Sequence, residues 1–232
     1  MIKPKLYLLP GTMCDATLWR HVAPSLEAQF ELNFIAIPKE TNLQAMVASL
    51  AAQLPDTKVN LAGFSLGGYL SALFTQSVPQ RVERLMVVAN SPCALPESEL
   101  VQRRQTIAFL QKFEYRGATP MRINQLLGER SKDDSALIEH ILQMEIAVGL
   151  DQLLPQLQAT SERDDLSQFF AQTEVETKFV YGDEDVLVNA QWIESLANPY
   201  VSRKRLEQVG HMSPLEAPTL LAAEMLSFFN RN

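Results

Sequence analysis

The chain has 232 residues, 47% of them apolar, with 20 Lys plus Arg against 27 Asp plus Glu and a net charge of −7. That length sustains one large domain, or a domain with an insertion, burying roughly 70% of its unfolded surface, which excludes a disordered chain. The acidic balance argues against a nucleic-acid partner, and two cysteines, Cys14 and Cys93, make no disulfide scaffold and offer no zinc spacing.

From the N-terminus, Lys5–Leu9 reads as a strand, too short an apolar run for a signal-peptide core. A second strand is expected at Asn33–Ile37. Thr41-x-x-Gln44 resembles a capping box, and Leu43, Met46, Val47, Leu50 and Leu54 recur at helical spacing behind it. Strands follow at Lys58–Ala62 and Arg84–Ala89. The alternation then stops: between Pro92 and Thr177 no strand pattern occurs, and Leu95–Leu166 reads as a helical insertion. It contains Gln102–Phe113, Met121–Leu127 and Ser135–Val148, with breaks at Gly117, Pro120, Gly149 and Pro155. A stretch of that length is too long for a plain loop and is expected to form a subdomain of its own. Strands resume at Thr177–Tyr181 and Tyr200–Leu206, and a final helix starts near Pro218 with Leu221, Met225 and Phe228 on one face. Apolar strands alternating with helices predict an α/β protein built on a mostly parallel sheet of about six strands. No run approaches the ~20 apolar residues of a membrane span, so no membrane partner and a cytoplasmic location are expected.

The segment richest in chemistry is Val59–Leu70. An apolar strand runs into Gly63-Phe64-Ser65-Leu66-Gly67 and then directly into a helical pattern. Gly-x-Ser-x-Gly alone is weak; between a strand and a helix it becomes a nucleophile elbow, where small flanking residues let the backbones approach and Ser65 stands at a helix N-terminus. The phosphate-loop alternative lacks the Lys-Ser/Thr pair and the G-x-G-x-x-G spacing. A serine nucleophile needs a base, and the chain has three histidines. His21 lies in an amphipathic patch and His140 in the insertion's helical stretch, both read as surface or packing residues. His211 follows the last strand in a Gly-His loop, where open parallel sheets place their sites. Gly182-Asp183-Glu184-Asp185 offers the acid: Asp185 stands clear of the turn, whereas Asp183 is read as bonding the turn's own backbone. The order Ser65, Asp185, His211 suits a triad on this topology. The N–H groups of Leu66 and of Thr12, in the Pro10-Gly11-Thr12-Met13 loop, are the candidate oxyanion donors. A cysteine nucleophile is the competing choice, but neither Cys14 nor Cys93 sits on an elbow.

Four segments in order, Leu-Leu-Pro-Gly-Thr at 8–12, Gly-Phe-Ser-Leu-Gly-Gly at 63–68, Gly-Asp-Glu-Asp at 182–185 and Gly-His-Met-Ser-Pro-Leu-Glu at 210–216, resemble the α/β-hydrolase superfamily. Ala89-Asn90-Ser91-Pro92-Cys93 followed by a helical insertion is similar to the capped pimeloyl-acyl-carrier-protein methyl ester esterases, and also to meta-cleavage carbon–carbon hydrolases and a menaquinone-pathway lyase. The resemblance implies a core at 1–92 and 177–232, a cap at 93–176, and a pocket between them with Met13, Phe64, Pro92 and Met212 as candidate substrate-binding residues. It implies a serine hydrolase of small to medium esters or thioesters acting without cofactor or metal, as monomer or dimer. The chain departs from relatives that open with an antiparallel hairpin and carry His-Gly where it has Pro10-Gly11. A non-catalytic binding module on this fold would typically have lost a triad member, and here all three are present.

The stretch Val101–Lys132 carries Arg103, Arg104, Lys112, Arg116, Arg122, Arg130 and Lys132 against Glu114 and Glu129, a local balance of +5. Such a patch could steer an anionic substrate or an acidic acyl-carrier protein. Over Pro96–Asp165, however, eight basic residues face twelve acids, so only the first half is basic.

Overall fold

A computed structural model describes residues 3–230. Six strands, β1 (Lys5–Leu9), β2 (Glu31–Phe34), β3 (Val59–Phe64), β4 (Val82–Val88), β5 (Glu176–Gly182) and β6 (Val201–Leu206), form one sheet in the order β2-β1-β3-β4-β5-β6. Every pairing is parallel. Parallel strands need crossovers, and helices cover both faces. One face buries Leu6, Leu8, Ala62, Phe64, Met86 and Val88 beneath α1 (Ala23–Leu26) and α11 (Pro218–Phe229). The other buries Tyr7, Leu9, Leu61, Leu85 and Val87 beneath α2 (Leu43–Gln53), α3 (Leu66–Ser77) and α9 (Ala190–Ser195). Along β1 and the C-terminal halves of β3, β4 and β5, alternation places consecutive apolar residues in opposite cores, which is why those stretches read as apolar runs; the edge strands β2 and β6 are half-exposed and do not.

Several boundaries differ from expectation, among them the insertion's first two helices, which run Glu97–Leu110 and Pro120–Asn124 and not Gln102–Phe113 and Met121–Leu127. The second strand is Glu31–Phe34 and not Asn33–Ile37, paired through Lys5–Leu8. The Ile35 N–H still donates to the Leu8 carbonyl at 3.0 Å, whereas Ile37 lies beyond the ladder; both stay buried, so their apolar character follows burial and not edge-strand pairing. Helix α2 is capped by Asn42 and not Thr41: the Asn42 side chain accepts the Ala45 N–H at 2.9 Å. Starting at Leu43 turns Met46 and Leu50 onto the sheet, and packing sets that phase.

Between β4 and β5 run α4 (Glu97–Leu110), α5 (Pro120–Asn124), α6 (Ser135–Val148), α7 (Leu153–Ser161) and α8 (Ser167–Gln172). Pro155, expected as a break, lies in the first turn of α7, where a missing N–H costs nothing because it has no helical acceptor. The segment has no separate core. Ile123, Leu127, Ile141 and Met144 join the α11-side core, while Ala159, Leu166 and Phe170 join the other. Helix α4 buries none of its residues and leaves Phe109 and, just beyond it, Phe113 exposed. Among the described residues no helix is long and apolar enough to cross a membrane, and no cluster of three or more His, Cys, Asp or Glu is placed to hold a metal.

Helix α6 also touches the core through a polar contact. His140 Nδ1 accepts from Arg20 at 2.9 Å while its Nε2 faces the Thr17 carbonyl at 3.4 Å, a pattern satisfied by the neutral Nε2–H tautomer. Desolvation, and then the Arg20 cation, hold its pKa below the usual value. The unfolded chain therefore binds a proton near pH 6.5 that the folded chain resists. The sign follows: this contact contributes fully above that pH and weakens as pH falls below it. Between about pH 7.5 and pH 5.5, the thermal midpoint of His140→Gln should fall less than that of the parent; equal falls would contradict this.

Candidate active site

The site lies at the C-terminal ends of β1, β3, β5 and β6. Strand β3 ends at Phe64, and Ser65 turns the chain into α3 with φ 49° and ψ −117°. A non-glycine residue in that region carries strain of about 1–3 kcal/mol and persists only if its surroundings impose it. Here they do. The Ser65 N–H donates to the Val88 carbonyl at 2.8 Å, the Gly67 N–H to Pro10 at 3.0 Å, and the Tyr69 N–H to Ser65 at 3.1 Å. A Cβ on Gly63 would lie 2.2 Å from the Gly67 carbonyl oxygen, and one on Gly67 would lie 2.2 Å from the Pro10 oxygen. Both glycines are therefore required by contact, one inside the elbow and one against the loop after β1.

His211 Nε2 lies 3.1 Å from Ser65 Oγ, and His211 Nδ1 lies 2.9 Å from Asp185 Oδ2. The Asp185 side chain is wholly buried and that of His211 is 6% exposed. The other Asp185 oxygen accepts the Leu187 N–H at 2.8 Å and the Val188 N–H at 3.3 Å, which fixes the carboxylate. Asp183 bonds not its own turn but the loop after β6, accepting from Gln208 at 2.6 Å and Val209 at 3.4 Å. The two acids thus divide the work: one faces the imidazole, the other ties β5's turn to the histidine loop. His21 is exposed and accepts from Arg20, and His140 makes the contact described above; neither reaches Ser65.

Thr12 and Leu66 flank the serine from the loop after β1 and from the first turn of α3. Neither N–H donates to a protein acceptor among the described residues, whereas the next N–H along each segment is engaged: Gly67 to Pro10, and Met13 to Gln156 Oε1 at 3.0 Å. Gly11 permits the approach, since a Cβ there would lie 2.8 Å from the Phe64 ring. Gln156, on α7, was not singled out by its sequence; a buried side-chain amide that braces this loop has no local signature. Burial pushes the Cys14 thiol up to about 12, so it stays protonated, and Cys93 is buried against Ser91.

The four candidate substrate-binding residues are all buried. Phe64 is 1% exposed and packs against His211 with ring centroids 5.2 Å apart and the planes tilted by 48°, and Met212 is 3% exposed. Met13 holds a left-handed φ of 55°. The Pro92 carbonyl accepts from Leu166. Beyond the loop, a cavity of about 340 Å³ is lined by Pro10, Cys14, Phe34, Ile37, Val148 and Gln156 among others.

Of the basic residues in 101–132, Arg103 pairs with Glu99 and bonds Thr160, Arg104 pairs with Glu97, and Lys132 pairs with Glu129. Glu97 and Glu99 lie just outside that window, so the local excess of positive charge is smaller than the linear count. Lys112, Arg116, Arg122 and Arg130 are exposed and form no ion pair among the described residues.

Residues 9–134 match the model of the alpha/beta hydrolase fold family. The chain is 27% identical to the pimeloyl-[acyl-carrier protein] methyl ester esterase of Aeromonas hydrophila, over 93% of this chain and 91% of that one. An esterase from Thermogutta terrifontis superposes with a TM-score of 0.82 at 18% identity, over 98% of this chain and 90% of the other. The enol-lactonase from Burkholderia xenovorans does so with a TM-score of 0.84 at 14% identity, over 100% and 93%.

Proposed function

The chain belongs to the alpha/beta hydrolase fold family, and from that membership we propose that it hydrolyses a carboxylic ester or thioester of a small to medium acyl group. The observation that carries this reading is the relay from Ser65 Oγ to His211 Nε2 and from His211 Nδ1 to Asp185, with hydrogen bonds of 3.1 and 2.9 Å. His211 takes the Ser65 proton as Oγ bonds the carbonyl carbon; the N–H groups of Thr12 and Leu66 hold the oxyanion; His211 then protonates the leaving alcohol or thiol. Water attacks the acyl-enzyme with His211 as base, releasing the acid and restoring Ser65. The buried Asp185 carboxylate holds the imidazole in the tautomer that leaves Nε2 free to accept, and stabilises the imidazolium.

Residues 93–176 act in this reading as a cap; the 340 Å³ cavity lies beside the loop after β1, but Ser65, His211, Met13, Phe64, Pro92 and Met212 do not line it. The Aeromonas relative is named for an ester carried on an acyl-carrier protein. Lys112, Arg116, Arg122 and Arg130 supply an exposed positive surface on the first half of the cap, suited to steering such an acidic carrier. The test is a chain-length series of methyl esters and thioesters, free and attached to an acyl-carrier protein, at low and high salt. Carrier-bound esters should be preferred, with kcat/KM falling as salt rises. A salt-independent rate on the carrier ester would remove the partner, and faster turnover of a meta-cleavage diketone than of any ester would replace the reaction.

A further inference from the structure

One carboxylate outside the triad binds the backbone on both sides of His211. Glu216, the last residue of α10 (Ser213–Glu216), accepts the Met212 N–H on Oε1 at 2.9 Å. Its Oε2 accepts the Gly210 N–H at 3.1 Å and the Gly128 N–H, from the helical insertion, at 2.7 Å. His211's own N–H donates to the Leu126 carbonyl at 2.7 Å. The insertion's 126–128 turn therefore meets the histidine loop at successive peptide groups, and glycines make the contact close enough. A Cβ on Gly210 would lie 2.3 Å from Gly128 N, and one on Gly128 would lie 2.7 Å from Gly210 N. A second carboxylate supports the same junction: Glu184 donates its N–H to Val209 at 3.0 Å and accepts from Glu129 at 2.6 Å.

We infer that Glu216 is a positioning residue for His211, and that it aligns the base by clamping the histidine loop and the insertion's 126–128 turn onto one carboxylate. The inference rests on the reading of His211 as general base. The peptide after the His211 Cα ends on Glu216 through the Met212 N–H, and the peptide before it ends on Leu126 through the His211 N–H, in the same 126–128 turn that Glu216 holds through Gly128, so their orientation is set together. Burial raises the Glu216 carboxyl pKa while the three N–H bonds oppose that rise, and those donors call for the ionised acceptor. Sub-ångström alignment is where such a clamp acts, because a shift of about 1 Å at a catalytic group costs around 100-fold in rate.

The test is Glu216→Gln, with Gly128→Ala approaching the junction from the insertion and Ser65→Ala as control. The amide is isosteric with the carboxylate but sets an NH2 group against backbone N–H donors on one side. Turnover of p-nitrophenyl butyrate should fall about 10- to 100-fold in kcat with KM little changed, while the protein still melts cooperatively. The downfield proton resonance of His211 Nδ1–H, bonded to Asp185, should shift or broaden in both variants. Parental kcat and an unmoved resonance in folded Glu216→Gln would overturn the inference, as would a kcat loss with that resonance unmoved. The resonance does not depend on the reaction, so if Ser65→Ala kept parental turnover, the hydrolase reading would fail while Glu216 was still judged by the spectrum.

Discussion

Replacement of Ser65 by alanine is expected to lower ester turnover by roughly 10⁴- to 10⁶-fold, the range seen when a triad nucleophile is removed. The loss should fall in kcat. Ser65 already carries a Cβ in its strained conformation, and the strain is imposed by the bonds to Val88, Pro10 and Tyr69 that alanine keeps. The elbow should therefore fold unchanged, with the proposed oxyanion donors Thr12 and Leu66 still in place. What disappears is the attacking oxygen that His211 Nε2 faces at 3.1 Å. Residual activity of about 10³- to 10⁴-fold over water would remain from those donors and from binding. Turnover of p-nitrophenyl butyrate and mass spectrometry after fluorophosphonate labelling measure both sides: the adduct should sit on the Ser65 peptide and vanish in the variant. Hydrolysis within tenfold of the parent would remove Ser65 from the mechanism.

Asp185→Asn should cost about 10⁴-fold in kcat, as when the acid of a triad becomes an amide. The reason lies in the two faces of the carboxylate. One oxygen accepts the Leu187 and Val188 N–H groups and the other accepts His211 Nδ1–H. Asparagine has one acceptor oxygen for these two demands. With its oxygen on the loop, its NH2 faces Nδ1 and drives the proton to Nε2, where the imidazole can no longer accept from Ser65. With its oxygen on His211, the NH2 faces two backbone donors in a fully buried site and the loop must shift. Asp183→Asn provides the contrast: Gln208 and Val209 both donate to one Asp183 oxygen, which the amide keeps, so the histidine loop stays tied and most of the turnover should remain. If the two variants lost activity equally, loop support and not tautomer control would be Asp185's role.

Much of this arrangement is legible along the chain because it is local. The elbow requires glycines two positions either side of Ser65, and steric contact over that distance leaves a spelled pattern. Of the three side chains picked from separate loops, His211 lies within hydrogen-bond distance of both Ser65 and Asp185. The parts that escaped are those whose partners are remote. Pro155 reads as a break, yet it opens α7 and so delivers Gln156 to the Met13 N–H. Arg103 and Arg104 read as open positive charge, yet Glu99 and Glu97 on the same helix neutralise them. Glu216 closes the Gly-His-Met-Ser-Pro-Leu-Glu segment, yet nothing beside it names Gly128 as its partner.

Short-range sterics and hydrogen-bond preference, from strand runs through the elbow to the His211 loop, belong to contiguous residues, and therefore to the chain as written. The joining of those pieces belongs to the folded molecule. His211 meets Leu126 and Glu216 meets Gly128 only after the insertion shares its core with the sheet, because Ile123, Leu127, Ile141 and Met144 bury against the face that carries Phe64 and Met212. No neighbouring residue encodes that contact, since it depends on where apolar surface some 80 positions away comes to rest.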